Sequence, residues 1–201
     1  YFLDFETFNP AIPLYDRSQP YQQLVFQYSL HILPGRGRPL QHKEFLAHPG
    51  SDPRIQVLEQ LVTDLGNDGD ILVYNMGFES GRLKEMSRDF PRFELAVEQV
   101  LERMVDLMVP FQQKLLYTPG MRGSYSIKNV LPALLPEFSY DSLEISSGND
   151  ASLAYERLFD ETDPLNREAI RDHLKAYCRM DTLAMAEILK VLETMIKGNK
   201  A

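Results

Sequence analysis

The hydrophobic pattern of this chain mixes strand and helix periods in its first part and is almost wholly helical after it, which limits it to a sheet with helices packed on it. Residues 1–5, 24–33 and 41–47 are rich in β-forming side chains and read as three strands. Pro34-Gly35-Arg36-Gly37-Arg38-Pro39 is a turn that makes the second and third a hairpin, and residues 9–20, with Pro10, Pro13 and Pro20, form an irregular loop. Gly35 and Gly37 do not make a phosphate loop, because they lie between two strands with no helix start behind them. Ile55, Leu58, Leu61, Val62 and Leu65 share one helical face between Pro53 and Gly66, and residues 70–75 form a short buried strand. From Phe78 onward the spacing is almost wholly helical. Helices are expected over 79–88, 93–104, 107–116, 126–134, 151–159 and 164–197, the last open to division into two.

Strand, strand, strand, helix, strand and then helices describe a mixed sheet flanked by helices, an α/β fold with a helical C-terminal half. No repeat, low-complexity tract or linker interrupts it, so residues 1–201 are expected to be a single domain. The chain opens directly on strand-like Tyr1-Phe2-Leu3-Asp4 without an initiator Met, and is read as part of a longer protein. No apolar stretch approaches the roughly 18 residues that a membrane helix needs, and no signal segment opens the chain. With a single Cys178 these features lead us to expect a cytoplasmic protein with no membrane partner. A net charge of −8 argues mildly against nucleic acid. Local clustering offsets it: Arg82, Lys84, Arg88 and Arg92 follow one acidic motif, and Arg122 and Lys128 flank a Gly-Ser turn.

Three acidic motifs carry the chemistry. Asp4 and Glu6 stand at i and i+2 on the first strand, so both project from one face while Leu3 and Phe5 project from the other. Carboxylates on an otherwise apolar strand are costly unless a cation or hydrogen bonds compensate. Glu79 follows the strand at 71–74, where Asn75 and Gly77 turn the chain into a helix; a first-turn Glu complementing the helix dipole is the plainer alternative. Tyr177 and Asp181, at i and i+4, share a face of the last helix. Four carboxylates brought together in this way are the donor set that two divalent ions need for phosphodiester hydrolysis.

Asp4-Phe5-Glu6-Thr7, Tyr74-Asn75-Met76-Gly77-Phe78-Glu79 and Tyr177-x-x-x-Asp181 resemble the three exonuclease motifs of the DEDD (DnaQ-like) superfamily. The resemblance spans nearly the whole chain and implies an RNase H-like fold. The Tyr-x-x-x-Asp spacing is similar to that of the tyrosine subgroup; the histidine subgroup would place His where Ala176 stands. Val105-Asp106-Leu107 and residues 123–128 resemble segments of an uncharacterised bacterial branch that often adjoins a RecB-type nuclease region. One departure is plain: Glu79 stands where the second motif usually has Asp.

The resemblance implies that Asp4, Glu6, Glu79 and Asp181 hold two Mg²⁺ or Mn²⁺ ions, that Tyr177 orients the attacking water, and that the substrate is the 3′ end of single-stranded DNA or RNA. A catalytically silent nucleic-acid-binding or scaffolding domain is the alternative. Asn75 is expected to cap the helix after it or to contact substrate, and Lys128 to meet phosphate or to be an ordinary surface lysine. Asp106 reads as an N-cap, and Phe8 and Tyr21 as core or as stacking partners for a terminal base. Cys178 reads as a packing residue, and the four histidines lack zinc spacing.

Overall fold

The structure, a computed structural model, describes residues 1–35 and 37–198; Arg36, in the expected turn, lies outside the described residues. The chain runs β1 (Phe2–Phe8), β2 (Leu24–Ile32), β3 (Gln41–Leu46), α1 (Pro53–Leu65), β4 (Ile71–Val73) and α2 (Met76–Asp89). It continues through α3 (Glu94–Glu102), β5 (Met104–Asp106), α4 (Val109–Gln112), α5 (Ile127–Leu134), α6 (Gly148–Arg157) and α7 (Pro164–Gly198). The five strands form one mixed sheet in the order β3-β2-β1-β4-β5. β1 pairs antiparallel with β2 and parallel with β4, and β5 extends the parallel half. This is the α/β architecture expected, with the acidic strand β1 at its centre.

Alternation along β1 divides the core in two. Leu3 and Phe5 pack with Val57, Leu58 and Leu61 of α1 and with Leu83 of α2. Phe2 and Phe8 pack on the opposite side with Tyr155 of α6 and Leu174, Met185 and Ile188 of α7. Asp4 and Glu6 share the parity of Phe2, so the sheet's pleat directs them toward α7. A bulge between Glu6 and Thr7 shifts the register beside the second carboxylate, and such bulges re-aim side chains at the ends of strands.

Local signals explain α1 well. The Asp52 side chain accepts from the Arg54 N–H at 3.0 Å, Pro53 occupies the first turn, and Gly66 ends the helix. Three elements differ from expectation. The helix expected over 93–104 stops at Glu102, and Met104–Asp106 becomes the edge strand β5, fixed by pairing with Ile71–Val73. The helix expected over 107–116 shrinks to Val109–Gln112, and Lys114 just beyond it has a left-handed backbone, φ 56°. The last helix is continuous, with Leu174, Tyr177, Cys178, Asp181, Thr182, Met185 and Ile188 forming its buried stripe. Among the described residues no helix is long and apolar enough to cross a membrane.

Candidate active site

Asp4 and Glu6 lie opposite Ser29 and Gln27 of β2, under the middle of α7. Polar contacts fix α7 in register there. The Thr182 hydroxyl lies 2.7 Å from both the Ser29 hydroxyl and His31 Nδ1, and Gln27 Nε2 donates to the Leu174 carbonyl at 3.0 Å. Tyr177, Cys178 and Asp181 are thereby held over β1. Asp4, Glu6 and Cys178 have potential ligand atoms within 4.8 Å of one another. The Cys178 thiol approaches Asp4 Oδ2 at 3.7 Å and the Asp4 carbonyl at 3.8 Å. Burial and the adjacent carboxylates push that thiol well above its ordinary range. It is a neutral donor packed against Asp4, in keeping with its expected packing role, while the oxygen-rich set around it suits hard cations.

Asp4, Glu6, Tyr177 and Asp181 line a cleft of about 400 Å³ together with Phe78, Asn149 and Gly148 at the start of α6. A methyl group at Gly148 would sit 3.9 Å from Glu6 Oε2, which measures how closely α6 approaches. Glu79 does not line the cleft. It is the fourth residue of α2, buried, and its Oε2 has no hydrogen-bond partner. Its charge nevertheless acts on Asp4 and Glu6. Asp4, Glu6 and Asp181 thus share the cleft, and Glu79 is buried close enough to act on them electrostatically.

Glu79 owes its position to a backbone feature. Asn75 turns β4 into α2 with φ 82° and ψ 65°, a left-handed conformation uncommon outside glycine. The expected side-chain cap by Asn75 is not made. Asp106 of β5 supplies it instead: its carboxylate accepts from the N–H groups of Asn75 at 3.1 Å, Met76 at 2.9 Å and Met108 at 2.9 Å. Asp106 is a capping residue as expected, but the long helix it caps begins some thirty residues earlier in the chain.

Two further side chains close the site. Lys128, in the first turn of α5, donates to the Tyr177 oxygen at 2.9 Å and to the Ser146 carbonyl, and its ammonium lies 4.8 Å from the Tyr177 ring centre. It is therefore a partner of Tyr177 rather than an ordinary surface lysine. Tyr140, on the connection between α5 and α6, donates its hydroxyl to Asp181 Oδ1 at 2.7 Å. Nothing in the sequence marked Tyr140. Of the two aromatic residues expected to pack or to stack on a base, Phe8 is fully buried against Phe26 and Tyr155, while Tyr21 is exposed with φ 59°. Phe78, not singled out as a stacking candidate, reaches the cleft beside Tyr177.

Burial raises all four of these acids, and repulsion from Asp181 adds to it at Asp4 and Glu6. Asp4 and Glu6 are held well above the carboxylate range. Glu79 is pushed up to about 8 by desolvation, with Asp106 and Asp181 adding to it. Asp181 reaches only about 6, because the Tyr140 hydroxyl and Lys128 offset part of its desolvation. The Tyr177 hydroxyl is raised by burial and by Asp181, Glu6 and Asp4, so it stays protonated. An unpartnered buried carboxylate oxygen, three further acids and one lysine fit a divalent cation better than they fit an empty core.

Comparison with known proteins places this geometry among uncharacterised relatives. The chain is 28% identical over 99% of its length to the uncharacterized protein UU173 of Ureaplasma parvum, and 29% identical over 93% to the MG366 homolog of Mycoplasma pneumoniae. It spans about a third of the length of each, 32% and 31%. Among solved structures it is similar to the family B DNA polymerase of the archaeon Pyrobaculum calidifontis. That similarity has a TM-score of 0.53 at 15% identity and covers 94% of this chain and 24% of the polymerase, a likeness of fold alone. A family model described as Domain of unknown function (DUF2779) matches residues 1–126, well over half of the sequence, and the chain belongs to that family.

Proposed function

We propose that this chain is a metal-dependent 3′–5′ exonuclease of the DEDD superfamily, tyrosine subgroup, acting on single-stranded ends of DNA or RNA. The observation that carries the reading is the convergence of Asp4, Glu6 and Asp181 from β1 and α7 on one cleft, with Glu79 of α2 buried close by and its Oε2 left without a partner. Asp4, Glu6, Glu79 and Asp181 would hold two Mg²⁺ or Mn²⁺ ions. When bound, such ions activate water at neutral pH and neutralise charge on a departing oxygen.

The residues of the chain do the positioning. Lys128 donates to the Tyr177 oxygen, which leaves the Tyr177 proton free for an acceptor in the cleft. Because Tyr177 stays protonated, it orients the attacking water instead of deprotonating it. Tyr140 fixes one oxygen of Asp181 and leaves the other available. Asp106 holds the first turn of α2 and with it Glu79. Hydrolysis adds water across the terminal P–O3′ bond; the O3′ leaves with a proton, and a nucleoside 5′-monophosphate is released. The polymerase whose fold is similar acts, by its name, on DNA, which agrees with this substrate class. The threefold greater length of the relatives leaves room for further domains, and we propose that a RecB-type nuclease region is among them.

The test is degradation of 5′-labelled single-stranded DNA and RNA with Mn²⁺, Mg²⁺ or EDTA. A ladder shortening from the 3′ end, absent with EDTA and reduced at least about a thousandfold by Asp4→Ala, is the expected result. An active Asp4→Ala protein would sink the assignment. Tight metal-independent binding without cleavage would favour the silent binding domain.

A further inference from the structure

Acidic residues number 29 in this chain of 201, yet residues 107–136 contain none, while they carry Lys114, Arg122 and Lys128. In a protein of net charge −8 this is a local reversal of sign. The segment folds as α4, an irregular connection and α5. Among the described residues no carboxylate pairs with Lys114 or Arg122, whereas Lys43, Arg54, Arg82, Arg92, Lys190 and Lys197 all have acidic partners.

The connection has a defined shape. Lys114, Arg122 and Gly123 take left-handed backbones, with φ 56°, 51° and 77°. Conformations of this kind persist in non-glycine residues only where the surroundings hold them. The Gly123 N–H donates to the Tyr117 hydroxyl at 3.2 Å, which closes the loop on itself. Tyr117 and Tyr125 are each about half exposed, and with Phe111, Lys114, Gly123 and Ser124 they line a recess of about 400 Å³. Arg122, next to that recess, lines a second of about 660 Å³ together with Lys128 and Tyr140.

Both ends of the segment touch the candidate site. The Tyr74 hydroxyl donates to the Tyr125 carbonyl at 2.7 Å, and Tyr74 immediately precedes Asn75, where α2 begins. Three residues beyond Tyr125, Lys128 meets Tyr177. Exposed aromatic rings interleaved with unpaired cations, continuous with a site for phosphodiesters, match the chemistry of a single-stranded polynucleotide: π-faced bases on an anionic backbone.

We infer that residues 114–128 form a sequence-tolerant binding track for the body of a single strand, with Tyr117 and Tyr125 stacking on bases and Lys114 and Arg122 meeting phosphates. The inference rests on the exonuclease reading for the identity of the strand's anchored end; the track's affinity does not depend on cleavage. It explains how an acidic protein can hold a polyanion. Four of the acids lie where cations would neutralise them, and the strand lies along a long segment that carries no acid.

The experiment is fluorescence anisotropy with labelled oligothymidylate and oligouridylate, roughly a dozen nucleotides long, in EDTA. Tyr117→Ala and Tyr125→Ala should each weaken binding about tenfold; Tyr125→Phe should retain it, and Tyr117→Phe, which also removes the acceptor of the Gly123 N–H, should weaken it less than Tyr117→Ala does. The Tyr125 contact to Tyr74 is made by the backbone, so it survives either substitution. Lys114→Gln and Arg122→Gln should each lower the slope of log affinity against log salt by about 1. Manganese-dependent hydrolysis of bis(p-nitrophenyl) phosphate, too small to reach the track, should be unchanged in all six variants. If wild type hydrolyses neither diester nor oligonucleotide but the variants still lose binding, the exonuclease reading fails and the track stands. If the variants bind as wild type does, or if a polyglutamate peptide binds here and the oligonucleotides do not, the track is overturned whatever the activity.

Discussion

This fold buries charge in two places and treats them in opposite ways. Arg54, only 1% exposed, gives every side-chain nitrogen an acceptor: Nε and Nη2 donate to Asp52, Nη1 to Asp89, and Nη2 also to the Asp16 carbonyl. The Phe90 ring covers its guanidinium at 5.1 Å. That cluster joins the start of α1, the end of α2 and the loop after β1. Elsewhere, four carboxylates from β1, α2 and α7 face Lys128, Arg82, two tyrosine hydroxyls and one thiol. The same chain that completes one buried charge network leaves the other short of cations. Architecture accounts for the first; the second is what the proposed divalent cations would complete.

The largest expected effect breaks the balanced cluster. Arg54→Ala leaves Asp52 and Asp89 without their shared partner and should destabilise the protein by about 3–5 kcal/mol, read as a lower urea midpoint. Asp4→Asn, by contrast, removes a repelling charge and should leave metal-free stability unchanged or higher. If Arg54→Ala costs no more than a typical surface substitution, the contrast between the two regions disappears. A smaller effect concerns the second site alone. Tyr140→Phe frees Asp181 Oδ1, and Mn²⁺ affinity measured by calorimetry should fall about tenfold with little change in melting temperature. An equal loss of stability and no loss of affinity would make Tyr140 a core residue and nothing more.

The two clusters were unequally visible in the sequence, for physical reasons. Asp4, Glu6, Glu79, Tyr177 and Asp181 sit in short motifs whose strand or helix period fixes their direction, so their convergence followed from local pattern and a resemblance. The first four strands and α1 were legible in the same way. β5 was not: Val97, Val100, Leu101 and Met104 keep a helical spacing, and only pairing with β4 ends it. Tyr140 lies in a connection with no period, and its bond to Asp181 spans 41 residues. Asp106 was read as a cap but given the wrong helix, because the helix it serves is brought to it by the parallel pairing of β4 and β5. Arg54 gave no signal at all; a lone Arg in a first turn looks like surface until Asp89 arrives from 35 residues away.

The smallest effect is also the one that sets the two clusters most directly against each other. Asp181 and Glu79 titrate near 6 and 8 in the folded, cation-free protein, above their ordinary values of 3.8 and 4.5, chiefly because burial disfavours their charged forms. The folded state therefore binds protons more tightly than the unfolded chain does. The stability linked to that binding is complete below about pH 4 and is lost as pH rises through 6 and then 8. Asp4 and Glu6 are raised as well and act in the same direction. The melting temperature in EDTA should fall across this window, and Glu79→Gln should flatten its upper part. A divalent cation competes with those protons, so the rise in melting temperature on adding Mn²⁺ should be larger near pH 8 than near pH 6. A Mn²⁺ effect independent of pH would mean that the ion binds away from these carboxylates, and that their unbalanced charge serves some purpose other than holding metal.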